Sequence, residues 1–163
     1  MEASGRLRRA VFVDTSAWYA LADTNDTEHE TAVHALRRIA ALGRPLCTTN
    51  YVVAESYTLL RARLGARAAH AFIRCARDSR RVERVFVEPE WDEEAERLLI
   101  QYEDQDFSYV DATSFVAMRR LNLDEALAFD QHFLIAGFDS HDLFSYAGLS
   151  ADWTGLSCQS SLA

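Results

Sequence analysis

Short apolar runs alternate along this chain with longer segments whose apolar residues recur at helical spacing. Ala10-Val11-Phe12-Val13 is a compact, β-rich run ending at Asp14-Thr15-Ser16, as a buried strand does when it leads into a helix N-terminus. From Thr27 to Leu42, residues Ala32, Ala35, Leu36 and Ile39 mark one helical face, and Gly43 and Pro45 close the segment. Leu46 to Thr48 reads as a brief strand. Asn50 is the expected N-cap of a helix carrying Val52, Val53, Leu59 and Leu60, and Gly65 divides it from an arginine-rich helix with Ala69, Phe72 and Ile73. Val82 to Val87 alternates as a strand does. Pro89 opens the next helix, whose acidic first turn suits the macrodipole and whose apolar face holds Trp91, Ala95, Leu98, Leu99 and Tyr102. Phe107 to Asp111 leads into a helix with Phe115, Val116, Met118 and Leu121, and Ala126 to Phe129 reads as a strand stopping at Asp130.

Strands alternating with helices of this length predict an α/β fold with a short, mainly parallel sheet and helices on both faces. Ligand sites in such sheets lie at the carboxyl ends of the strands. The 163 residues suit one domain, expected over 9–145, with an N-terminal extension over 1–8 and a Ser, Gly and Ala-rich tail over 146–163. No apolar run approaches the roughly 18 residues of a membrane span, and no apolar core follows the charged N-terminus, so a soluble protein without a secretion signal is expected. Cys47, Cys75 and Cys158 are odd in number and far apart, which suggests small buried hydrophobes in a reducing cytoplasm rather than disulfides or a zinc site.

The net charge of −8 is unlike that of a basic nucleic-acid binder, but its distribution changes the picture. Eight arginines lie between positions 61 and 84 (Arg61, Arg63, Arg67, Arg74, Arg77, Arg80, Arg81 and Arg84), whereas Glu88 to Asp111 holds ten carboxylates and one base, Arg97. Each run alone reads as a solvated helix face. Together they describe a molecule able to gather divalent cations in one region and hold a phosphate backbone in another, with Arg61, Arg63, Arg67, Arg74 and Arg77 as the candidates for that phosphate contact. The chain has no lysine, which excludes the P-loop nucleotidases.

Asp14, Asp111 and Asp130 each admit a structural reading: Asp14 and Asp130 as helix caps, and Ser108 to Asp111 as a capping box. Their positions suggest more, because two follow predicted buried strands and the third begins a helix, so all can meet at one edge of the sheet. Glu55 lies on an apolar stripe between Val52 and Leu59, where a carboxylate needs neutralisation, a metal, or a salt bridge to an arginine. Four such carboxylates bind a hard cation such as Mg²⁺ or Mn²⁺ through oxygen, with Thr15 and Ser16 adding hydroxyl contacts. Asp106 reads as a surface or outer acid, and Asp23, Asp26, Asp139 and Asp142 as turn residues. His29, His34, His70, His132 and His141 never take the i, i+4 spacing of a helical zinc pair, and only His132, beside Asp130, invites mutation. No G-x-S-x-G elbow supports a serine hydrolase.

Val11 to Ser16, Thr48 to Glu55, Phe107 to Ala112 and Ala128 to Phe133 resemble the ordered blocks of the PIN domain, and Phe129-Asp130-Gln131-His132-Phe133-Leu134-Ile135-Ala136-Gly137-Phe138 is similar to VapC-type toxins. The resemblance implies a PIN-like three-layer sandwich and a ribonuclease in which Asp14, Glu55, Asp111 and Asp130 are the catalytic, metal-binding quartet for Mg²⁺ or Mn²⁺, supported by Thr15 or Ser16. It also implies an RNA substrate, a small cognate antitoxin and a homodimer. A haloacid-dehalogenase-like phosphatase is the less favoured enzyme, since Asp14-Thr15-Ser16 departs from its D-x-D pattern. The remaining alternative is a nuclease-like fold that binds RNA or protein without catalysis.

Overall fold

The computed structural model describes residues 5 and 7–140, so the expected tail, with His141, Asp142 and Cys158, lies outside the described residues. Five strands, β1 (Val11–Val13), β2 (Leu46–Thr49), β3 (Val82–Val85), β4 (Glu125–Leu127) and β5 (Asp139–Ser140), form one sheet in the order β3-β2-β1-β4-β5. Every neighbouring pair is parallel, with Phe12 of β1 facing Cys47 on one side and Ala126 on the other. The described helices are α1 (Thr15–Ala22), α2 (His29–Ala41), α3 (Asn50–Leu64), α4 (Ala66–Asp78), α5 (Pro89–Gln101), α6 (Tyr109–Leu121) and α7 (His132–Ile135).

Successive strand residues point to opposite faces, and Val11, Phe12 and Val13 are all fully buried, so both faces of the sheet are covered. This explains why β1 is a continuous apolar run, whereas β3, at the sheet edge, fully buries only Val82. From β1 the chain winds through β2 to β3, then returns to place β4 and β5 on the other side of β1. The reversal makes a topological switch point between β1 and β4, the place where ligand sites lie in sheets of this kind. Under this end of the sheet, Phe133 packs on Phe12 and Phe115 at ring distances of 6.0 and 5.1 Å, which anchors the short α7.

Five local expectations need correction. Thr49, not Asn50, caps α3, its hydroxyl accepting the Val52 N–H at 3.2 Å. The Asn50 side chain instead accepts the Val87 N–H at 2.8 Å, satisfying backbone that has left the ladder, so β3 ends at Val85. β4 ends at Leu127 rather than Phe129, because the Phe129 N–H turns to the Ser16 hydroxyl at 3.0 Å. Asp139, read as a turn residue, pairs in β5 with Glu125, while Asp23 and Asp26 do accept turn N–H groups from Asn25 and Glu28. Cys47 is buried, and burial pushes its thiol up to about 12; Cys75 is only half-buried, contrary to expectation. Among the described residues no helix is long and apolar enough to cross a membrane.

Candidate active site

Asp14 is the first residue past β1 and the N-cap of α1, with its Oδ2 accepting the Ser16 N–H at 3.0 Å and the Ser16 hydroxyl at 2.8 Å. That serine oxygen also accepts the Phe129 N–H, so one hydroxyl ties the end of β1 to the segment that carries Asp130 away from β4. Asp14 is buried, and its carboxyl is pushed up from 3.8 to about 7. Burial is the main cause; the Ser16 backbone bond opposes it and the charge of Asp130 adds to it.

Glu55 projects from the second turn of α3 and is half-buried. Its Oε2 accepts the Thr15 hydroxyl at 2.6 Å, and Ser56 Oγ stands 3.4 Å behind Thr15 Oγ1. Among the described residues its hydrogen-bonding partner is this threonine, and no arginine is paired with it.

Asp111 occupies the third position of α6 and completes a capping box: Ser108 Oγ accepts the Asp111 N–H at 3.0 Å, and Asp111 Oδ2 accepts the Ser108 N–H at 2.7 Å. The same Oδ2 lies 3.0 Å from His132 Nδ1. Asp130 precedes α7 and accepts the His132 N–H at 2.9 Å. Burial, followed by the charge of Asp111, raises the Asp130 carboxyl above its ordinary value. Asp14 and Asp111 therefore take part in caps that hold their carboxylates still, whereas Asp130, expected as a cap, lies one residue before Gln131, the N-cap of α7.

Ligand atoms of Asp111, Asp130 and His132 all lie within 4.8 Å of one another. Asp14 joins this group through its electrostatic contact with Asp130, and Glu55 through Thr15, the residue next to Asp14. Sequence reasoning gave His132 too little weight, because it sought helical histidine pairs. The available signal was Asp130-x-His132 beside a helix start. Asp106 is exposed, as expected of a surface acid.

The donor set fits a hard divalent cation. Its atoms are mainly carboxylate oxygens, and the ion pairs recorded for Asp111 and Asp130 run to His132, not to arginine. Burial chiefly raises the carboxyls of Asp14 and Asp130, and the charge of Asp130 on the first and of Asp111 on the second adds to it, an environment in which a bound cation would favour the ionised forms. Away from this centre, Arg61, Arg63, Arg67, Arg74 and Arg77 are exposed on α3 and α4. Arg77 is bound to Asp78 by two bonds of 2.7 and 3.1 Å.

The PIN domain profile matches residues 11–139, from β1 into β5. The chain belongs to the PIN-domain family. This PIN domain is 40% identical over 129 residues to a protein named 23S rRNA-specific endonuclease VapC20, in both the CDC 1551 / Oshkosh and H37Rv strains of Mycobacterium tuberculosis. The match takes in 78% of this chain and 95% of that relative. The PIN domain also superposes on the crystal structure of M. tuberculosis VapC20, described as a sarcin-ricin loop cleaving toxin, with a TM-score of 0.72 and 39% identity. That superposition covers 80% of this chain and 97% of the other. The α/β, PIN-like architecture expected from the sequence is thereby shown.

Proposed function

We propose that this PIN domain is a VapC-type toxin that cuts RNA, a divalent-metal-dependent endoribonuclease hydrolysing phosphodiester bonds. The reading is supported by the cluster of Asp111, Asp130 and His132, with Asp14 electrostatically coupled to Asp130, Glu55 bonded to Thr15 beside Asp14, and no arginine ion-paired with any of the four acids among the described residues. The named relatives supply the substrate class, and the sarcin–ricin loop of 23S rRNA is the first RNA to test.

The four acids would hold Mg²⁺ or Mn²⁺, with His132 against Asp111 and Asp130. When bound there, such an ion supplies an acidified water nucleophile and charge neutralisation at the scissile phosphate. The chain's own residues do the positioning. Ser16 holds Asp14 and the Asp130 segment, Thr15 orients Glu55, and the Ser108 capping box fixes Asp111. Exposed Arg61, Arg63, Arg67 and Arg74 carry the positive charge that draws in the RNA backbone, with Arg77 contributing less because Asp78 shares its charge.

The same acids suit a basic segment of a small cognate antitoxin, whose arginine would pair with a carboxylate and exclude the cation. A homodimer and a reducing cytoplasm complete the reading, the latter supported by the buried thiol of Cys47. The test is incubation of antitoxin-free protein with a hairpin RNA bearing the sarcin–ricin loop and with total RNA, in Mg²⁺, Mn²⁺ or EDTA, beside an Asp14→Ala control. Discrete fragments that require metal and Asp14 are expected. RNA retention without cutting in any metal would replace this reading with a binding-only module.

A further inference from the structure

Tyr51 and Tyr109 form an aromatic pair that the core does not explain. Their rings lie 5.8 Å apart at 51°, and neither residue is a member of the buried hydrophobic cluster among the described residues. Tyr109 is 37% exposed and Tyr51 is half-buried. Their placement is specific. Tyr51 stands one turn before Glu55 on α3, the i, i+4 spacing that stacks side chains on one helix face, and Tyr109 stands two residues before Asp111 in the first turn of α6. The pair bridges the N-terminal turns of the two helices that deliver Glu55 and Asp111.

Tyr109 Oη reaches Glu96 of α5 at 3.5 Å, and its ring stays partly exposed. The chemistry of the patch selects its occupant. The acids nearest the rings, Asp92 and Glu96, offer no cation to a phosphate, whereas an aromatic face accepts any nucleobase by stacking.

We propose that Tyr51 and Tyr109 are positioning residues that stack an unpaired nucleobase of the RNA beside the scissile phosphate, holding the strand over the acidic centre. The inference rests on the ribonuclease reading above. Rigid rings at the edge of the carboxylate group would secure the base, while the exposed arginines hold the backbone elsewhere.

The test uses the full chain, freed of antitoxin, and a sarcin–ricin hairpin with 2-aminopurine on either side of the cut. Binding to the wild type should quench the probe at one position. Tyr51→Leu and Tyr109→Leu should leave it bright and raise KM about tenfold or more, with a smaller change in kcat, while Tyr51→Phe and Tyr109→Phe keep the quenching and a KM near wild type. The phenylalanine variants separate stacking from a merely structural role, since both series lose the hydroxyl. Should a leucine variant fail to fold, the wild type still decides: no quenching at any position near the cut overturns the platform. Normal cutting with unchanged KM in the leucine variants overturns it too, as does loss of antitoxin binding alone. Failure of the wild type to cut any RNA is a different result, and removes the ribonuclease reading together with this one.

Discussion

Thr15 Oγ1 donates a 2.6 Å hydrogen bond to Glu55 Oε2, joining residues 40 positions apart in the chain. A bond to a charged acceptor contributes roughly 1.5 to 3 kcal/mol, equivalent to about ten- to a hundredfold if it is fully expressed in the transition state. Thr15→Val, which keeps the shape and removes the donor, should lower kcat by at least about tenfold with an unchanged circular dichroism spectrum, and Thr15→Ser should recover most of it. Single-turnover cleavage is the measurement, and full activity in the valine variant would remove Thr15 from the positioning of Glu55.

The raised carboxyl of Asp14 has a consequence for the metal-free protein. Its pKa rises from 3.8 to about 7 on folding, so the folded state binds the proton more tightly. The stabilisation is present below the unfolded value and is lost as pH rises through about 7. At 1.36 kcal/mol per unit, the loss is of the order of 4 kcal/mol. Thermal melts in EDTA should show the wild type losing ground to Asp14→Asn between pH 4 and 8, since asparagine can still accept the Ser16 bonds without acquiring charge. Mn²⁺ at pH 8 should restore wild-type stability and leave the variant unmoved. Parallel melting curves for the two proteins would contradict the burial argument.

Asp111→Asn separates capping from metal binding. The amide oxygen can still accept the Ser108 N–H, so the start of α6 should survive with a melting temperature close to wild type. Loss of the negative charge should abolish cleavage and reduce Mn²⁺ uptake in calorimetry. Asp111→Ala should show the same loss of activity with about 1 kcal/mol of further destabilisation from the broken cap.

His132 lies 3.0 Å from the Asp111 oxygen that also serves the cap. Partners that orient a ligand typically account for ten- to a hundredfold in metal affinity or activity. His132→Ala should therefore raise the Mn²⁺ requirement for cleavage by about that factor, partly overcome by excess metal. Activity at wild-type levels in limiting Mn²⁺ would assign the histidine to packing against Phe107, whose ring lies 5.4 Å away.

The exposed arginines should be read through salt. Replacing Arg61, Arg63, Arg67 or Arg74 by glutamine should weaken RNA binding and flatten the dependence of log K on log salt by about 0.7 for each lost contact to single-stranded phosphate. Arg77, paired with Asp78 at 2.7 Å, should matter least. A salt slope identical across the series would place the RNA on another surface.

What the sequence determined by itself was local: the Val11–Val13 run meant a buried strand, the Ala32, Ala35 and Ile39 spacing meant a helix, and Ser108 with Asp111 meant a capping box, because period and caps depend on residues within one turn or one pleat. The four acids stood out as candidates as well, since a carboxylate at a strand end or on an apolar helical stripe is conspicuous without any partner in view. Asn50 was misread for the opposite reason: it and Thr49 both offer a capping oxygen, and the choice fell to Val87, a backbone donor 37 residues away. Only the tertiary structure joined Thr15 to Glu55, His132 to Asp111, and Tyr51 to Tyr109. Those meetings follow from the order β3-β2-β1-β4-β5, which brings distant helix starts to one switch point. Strand order is set by how all the apolar faces bury one another at once, a property of the packed whole that no local spacing encodes.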